Sequence, residues 1–216
     1  MAYPYSLRET LADGTVHAAG LALAAVGVIA LLAQAHMGAP GAQIAALYVY
    51  AVAILLAFAA SAIYHLSPFD RTRPLLHKID HAAIYLKIAG TYTPLVVMLG
   101  SAFGYFLLGV IWTIAAAGAA LKLSVWHASG RLSLGLYLAM GWAAVLLVPL
   151  LFSKVPTLSF ALIVAGGLLY TAGTVIFARD GMRYQNAIWH GFVLIGSACF
   201  FAAIALTIGS PDLARN

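Results

Sequence analysis

Histidine, carboxylate and amide side chains lie inside or at the ends of long apolar segments, where polar groups are costly and often mark a functional site. Ser61 and His65 are four residues apart, and so are Asn186 and His190, so each pair shares one face of a helix. Asp80 begins another apolar segment. Zinc accepts imidazole nitrogen and carboxylate oxygen, and a nearby carboxylate can orient a water and take its proton. A metal site is therefore one interpretation of these residues.

Structural roles are the other interpretation. Asn186 can cap a helix, and Lys87, about 10 Å along a helix from Asp80, can pair with it or snorkel. His81 is about 100° around the helix from Asp80, which makes it only a spare ligand candidate. A lone histidine near a helix end is more often interfacial or hydrogen-bonded than a ligand, and four histidines are interpreted in this way: His17, His36, His77 and His127. Spacing alone leaves both interpretations open.

The segments that carry these residues are predicted to cross a membrane. Of the 216 residues, 64% are hydrophobic and 8% are charged, whereas a soluble domain is about a quarter charged. A transmembrane helix needs about 20 apolar residues. Seven such helices are predicted within one all-α membrane domain over residues 1–216, near 17–35, 44–65, 80–99, 103–124, 131–152, 157–178 and 187–209. Long unbroken apolar segments do not fit the short alternating strands of a β-barrel.

Cysteine and charge exclude other classes. The single Cys199 leaves no internal disulfide and no multi-cysteine zinc motif. The net charge is +5, but its basic residues are scattered between apolar segments rather than grouped, so nucleic-acid binding is not expected. The first fifteen residues are mixed and polar and do not match a removable signal peptide.

The distribution of Lys and Arg predicts the orientation. Eight of them fall on the side of the N-terminus and two on the other side. Because basic residues are retained in the cytoplasm, the N-terminus is predicted to be cytoplasmic. The second helix then runs inward while the third and seventh run outward. His65, Asp80 and His190 are therefore expected at one depth, near the cytoplasmic face.

Four sequence blocks resemble the hemolysin III family. Ser61-Ala62-Ile63-Tyr64-His65 resembles its Ser-x-x-x-His motif, and Ala187-Ile188-Trp189-His190 resembles its seventh-helix block. Its Asp-His and Gly-Thr-Tyr-Thr-Pro blocks are matched by residues 79–85 and 90–94. The family is the bacterial branch of the progestin and adipoQ receptor group and is similar in pattern to alkaline ceramidases. The resemblance implies seven helices, an inner-membrane location and a zinc ion near the cytoplasmic face.

The resemblance also implies roles for particular residues. His65 and His190 would bind zinc, Asp80 would orient the water that zinc activates, and Ser61 would support the site from one turn away. Asn186 stands where the family often has a further histidine ligand, and Phe200 stands where another histidine commonly follows. Asn186 and Asp80 are accordingly the remaining candidate ligands.

Three functions remain open. The first is a metal-dependent hydrolase that acts on an amide bond in membrane lipid, with Asp80 as general base. The second is a non-catalytic regulator or sensor of membrane lipid with a degenerate metal site, which Asn186 and Phe200 favour. The third is a transporter with a relay through Asp80, Lys87 and His65. It is ranked last because no pair of interrupted helices occurs in matching halves of the chain.

Overall fold

The computed structural model describes residues 6–124, 130–179 and 181–208, which form helices and, within those ranges, no strand. Among the described residues, seven helical spans are long and apolar enough to cross a membrane, which confirms the predicted all-α membrane architecture. The elements are α1 Leu7–His36, α2 Gly41–Leu66, α3 Arg73–Leu99, α4 Ala102–Leu123, α5 Gly130–Trp142, a 3-10 turn Ala143–Leu147, α6 Val148–Lys154, α7 Thr157–Phe177 and α8 Gln185–Ile208. The elements from α5 to α6 make the fifth span.

Helix α1 begins at Leu7, well before the predicted span near residue 17, because a capping box starts it there. The Ser6 side chain accepts from the Glu9 backbone N–H, and the Glu9 side chain accepts from the Ser6 backbone N–H. Glu9 Oε1 also accepts from the Tyr184 backbone N–H at 3.0 Å, just before α8. The start of α1 is thus fixed beside the start of α8, and the early turns of α1 carry two buried polar residues, Asp13 and His17.

Two prolines affect the helices differently. Pro149 lacks the N–H that would bond to Val145, and the fifth span changes to a 3-10 turn immediately before it. Pro94 lies inside α3, which nevertheless continues to Leu99. The Thr93 hydroxyl donates to the Ala89 carbonyl at 2.9 Å and accepts from Trp112 of α4 at 3.1 Å, so neighbouring side chains hold this turn.

The packing places α3 at the centre of the bundle. Helix α3 lies along α2 and α4, α2 also packs on α1, and α8 packs on α1 and α7. In the most apolar 18-residue segment of α3, 67% of the residues are buried, a larger share than in any other described span. Gly90 permits a close approach of α3 to α2, because a Cβ there would overlap the Ala53 side chain.

The alternating direction of the spans brings four helix ends together. These are the N-terminal ends of α1, α3 and α8 and the C-terminal end of α2, and we call them the site end of the bundle. This end is the one that the charge distribution predicts to be cytoplasmic.

Candidate metal centre

Three histidines from three helices meet at the site end. His17 comes from α1, His65 from the last turn of α2 and His190 from the second turn of α8. One ring nitrogen of each lies within 4.8 Å of the others. His17 and His190 are buried, with 3% and 8% of their surface exposed. We call this group the histidine triad.

A carboxylate from α1 joins the three rings. Asp13 Oδ1 lies 2.7 Å from His190 Nδ1 and 3.5 Å from His17 Nδ1, and Asp13 Oδ2 lies 3.3 Å from His65 Nδ1. His17 Nδ1 is also 2.9 Å from the Asp13 carbonyl oxygen. A carboxylate on one ring nitrogen orients a histidine and leaves the other nitrogen for a metal. Asp13 therefore acts on the Nδ1 side of all three rings.

Ser61 and Asp80 lie on the Nε2 side of two of these rings. His17 Nε2 is 3.1 Å from Ser61 Oγ, and His65 Nε2 is 4.0 Å from Asp80 Oδ2. The same Asp80 oxygen also lies 3.9 Å from His81 Nδ1. The Nε2 atoms of His17 and His65 thus lie near a hydroxyl and a second carboxylate, respectively. This donor set can hold a metal ion with a water beside Asp80.

The structure brings most of the sequence-predicted residues together. Ser61, His65, Asp80 and His190 all belong to the group just described. Asn186, one turn before His190, lines the cavity next to the triad, but among the described residues no hydrogen bond joins it to the three rings. The roles of all these side chains as ligand, base or support stay predictions.

The triad contains one histidine that the sequence interpretation set aside. His17 was interpreted as interfacial or hydrogen-bonded rather than as a ligand; it is hydrogen-bonded, but it is also buried beside His65 and His190, close enough to share a metal ion with them. Asp13 was not considered at all. The signal for both was local: Asp13 and His17 are four residues apart, on one face of a helix whose start the Ser6–Glu9 capping box marks.

The other histidines lie elsewhere. His36, at the opposite end of α1, is exposed and lies 3.2 Å from the Tyr48 hydroxyl, which agrees with a simple hydrogen-bonded role. The rings of His77 and His81 are 4.0 Å apart at the site end, outside the triad. His127 lies outside the described residues.

A long cavity leads from the triad into the bundle. Its volume is about 520 Å³, within the range of pockets that hold drug-sized ligands. It is lined at the site end by the triad and Asp80, and near the opposite end by Leu151 and Phe160. Most of the lining between these ends is apolar, from α2, α3, α7 and α8 and from the fifth span. A lipid chain fits this chemistry.

Together, the seven spans and the histidines at the base of an apolar cavity define a polytopic membrane protein with a candidate metal centre. The chain belongs to the Haemolysin-III related family, whose model matches residues 5–201. This confirms the family resemblance of its motifs.

Two of three named relatives cover almost the whole chain, and the third covers 73% of it. The Hemolysin-3 homolog of Bacillus subtilis (strain 168) is 32% identical over 201 residues, which is 93% of this chain and 94% of that protein. Hemolysin-3 of Bacillus cereus is 33% identical over 199 residues, 92% and 91% of the two chains. The Monocyte to macrophage differentiation factor of Homo sapiens is 28% identical over 169 residues, 73% of this chain and 68% of that protein.

Proposed function

We propose that the protein is a zinc-dependent hydrolase that cleaves an amide bond in a membrane lipid at the site end of the bundle. The observation that carries the proposal is the histidine triad, placed beside Asp80 at the end of a lipid-sized apolar cavity. The predicted cytoplasmic position of this end and an inner-membrane location are parts of the same proposal.

The residues present fit zinc. Catalytic zinc sites commonly have three protein ligands and one open position, and three imidazoles supply such a set. Magnesium and calcium prefer oxygen ligands, which suits the triad poorly. Zinc–nitrogen bonds of about 2.0 Å place tetrahedral ligand nitrogens roughly 3.3 Å apart, so nitrogens within 4.8 Å need only small side-chain movements.

The reaction is the hydrolysis of an amide to a carboxylate and an amine. Zinc, when bound, supplies Lewis-acid chemistry that polarises the carbonyl and lowers the pKa of a water. Asp80 takes a proton from the attacking water and returns it to the amine nitrogen as the carbon–nitrogen bond breaks. Ser61 contacts both His17 and the Asp80 carboxylate, and so keeps the base beside the triad. The apolar cavity holds the lipid chain and limits the access of bulk water.

Lipid analysis of cells tests this proposal. A bacterial strain without its own homologue would produce the wild type, Asp80→Asn, or a control, Asp70→Asn, which changes an exposed carboxylate at the same end of the bundle. At matched membrane levels, the wild type and the control should deplete an N-acyl lipid class and release free fatty acid. Asp80→Asn should match the empty strain. Identical lipids in all strains would contradict hydrolysis.

A regulator or sensor of membrane lipid is the second candidate. Asn186 favours it, because an amide oxygen is a poor zinc ligand beside imidazole. Phe200 packs on Tyr170 and beside Gly166, away from the triad, so it contributes no ligand. Purified protein that holds no zinc even after zinc is added back, together with unchanged lipid composition, would favour this candidate over the hydrolase.

A further inference from the structure

The cavity contains a lysine deeper in the bundle than the triad. Lys87 extends from α3, and its Nζ lies 5.0 Å from the centroid of the Phe58 ring on α2 and 5.1 Å from that of the Tyr170 ring on α7. All three residues line the cavity. The ammonium group is thus held between two aromatic faces inside a mostly apolar space.

On α2, α3 and α8, residues at the level of Lys87 lie two helical turns from the triad or from Asp80. Phe58 precedes His65 by seven residues, Lys87 follows Asp80 by seven, and Ser197 follows His190 by seven. Seven residues of helix rise about 10 Å. We call Phe58, Lys87, Tyr170 and Ser197 the lysine layer. It lies about 10 Å farther along the helices toward the opposite end of the bundle, at a depth where hydrocarbon surrounds the protein.

Protein groups do not neutralise this cation at close range. Within the described ranges, no carboxylate lies within 4.0 Å of Lys87 Nζ, and Asp80, two turns away on the same helix, acts on it only at longer range. Nearby hydroxyls have other partners: Thr91 donates to the Lys87 carbonyl at 2.8 Å. Ser197 donates to the Val193 carbonyl at 2.7 Å, so the 2.6 Å contact between Tyr170 and Ser197 uses the tyrosine proton.

Such a cation is costly in a membrane. A lysine at bilayer depth is unfavourable on insertion scales, and intramembrane charges are usually paired or functional. Two aromatic faces offset part of this cost, since the ring faces attract the ammonium. They supply no negative charge. The arrangement therefore has the features of an anion site that opens into an apolar cavity.

We propose that Lys87 binds the carboxylate of a single-chain amphiphile whose hydrocarbon chain lies in the cavity. One ammonium matches the single charge of a carboxylate, whereas a phosphate monoester carries nearly two charges and needs more donors than this layer provides. The apolar lining accommodates the chain. Binding at Lys87 requires only the cavity and does not depend on a metal or on hydrolysis. If the protein is the proposed hydrolase, a bound acid would also compete with the lipid substrate, and only this consequence rests on the proposed function.

Ligand binding to the full-length, detergent-purified protein tests the proposal, with oleate and oleyl alcohol as probes at pH 8. The two probes have the same chain and differ in charge. We expect the wild type to bind oleate at least about tenfold more tightly than the alcohol, a difference of about 1.4 kcal/mol. Lys87→Met should remove this preference but keep alcohol binding within about twofold. Lys87→Arg should retain it, and so should the control Lys122→Met, which removes a cation from the end of α4.

The same measurement after chelator treatment separates Lys87 from the metal. Because a carboxylate also binds zinc, the preference must survive chelation in the wild type if Lys87 is responsible. Equal binding of the two probes to the wild type, or a preference that persists in Lys87→Met, would overturn the proposal. A stronger Lys87-dependent preference for a single-chain alkyl phosphate would overturn the assignment to carboxylate. Retained alcohol binding by Lys87→Met shows that the variant keeps its fold.

Discussion

Helix α1 carries two histidines, one near each end of the bundle, and their surroundings differ. His17 is 3% exposed, with Asp13, Ser61 and the rings of two histidines from other helices around it. His36 is exposed and has one hydrogen-bond contact, with Tyr48 of α2. The residue type and the helix are the same. The difference comes from what the neighbouring helices bring to each end.

A candidate metal centre therefore forms at one end of α1 because three other helices meet α1 there. At the site end, α2, α3 and α8 each contribute a polar side chain at the same depth as His17. Asp13 contacts all three triad rings, so removing it should make the surroundings of His17 more like those of His36. The predictions below test this contrast, from the largest expected effect to the smallest.

Replacing the carboxylate that orients the triad should weaken metal binding most. We expect Asp13→Asn to lower zinc affinity about ten- to a hundredfold, the usual effect of losing a partner that orients metal ligands. Competition with a chromophoric zinc chelator in detergent measures this. Asp70→Asn is the control and should bind zinc like the wild type. Unchanged affinity in Asp13→Asn would mean that the carboxylate does not orient the rings for a metal.

Adding an imidazole at the site end should strengthen metal binding there and so increase the difference between the two ends of α1. Asn186 shares a helix face with His190 and lines the same cavity, so Asn186→His should raise zinc affinity by about tenfold. The same chelator competition measures this effect. Weaker binding in Asn186→His would instead indicate that the native amide oxygen is itself a ligand. His36→Asn, at the other end of α1, should leave affinity unchanged.

The capping box should have the smallest effect, confined to the start of α1. Ser6→Ala removes the side chain that accepts from the Glu9 N–H, and this should destabilise the first turn by about 1 kcal/mol. Amide hydrogen exchange at residues 7–10 should become about fivefold faster, while exchange beyond His17 stays the same. Faster exchange along the whole of α1 would show that the cap supports more than its own turn.

Much of this architecture could be predicted from the sequence. Long apolar segments require seven helices, because backbone polar groups in lipid must be bonded within each segment. Charge counting placed His65, Asp80 and His190 at one depth, and helical spacing placed Ser61 on the same face as His65. The structure brings these four together. The 3-10 turn in the fifth span also has a local cause, because Pro149 has no backbone N–H to donate to Val145.

The missed residues were missed for a physical reason. Asp13 lies before the first predicted apolar segment and was not considered, and His17, at the start of that segment, was interpreted as interfacial or hydrogen-bonded. Their burial depends on α1 packing against α2 and α8, which its own sequence does not encode. The same holds for Lys87: its spacing from Asp80 is local, but its position between Phe58 and Tyr170 depends on how three helices pack.

The most direct test of the account is the zinc content of purified His17→Ala compared with that of His36→Ala. Both variants remove one histidine from α1, so nonspecific metal binding affects them in similar ways. Elemental mass spectrometry of detergent-purified protein after zinc loading and dialysis should find close to one zinc per chain in the wild type and in His36→Ala. It should find little in His17→Ala. Equal zinc in the two variants, or none in the wild type, would contradict a metal centre built on the triad.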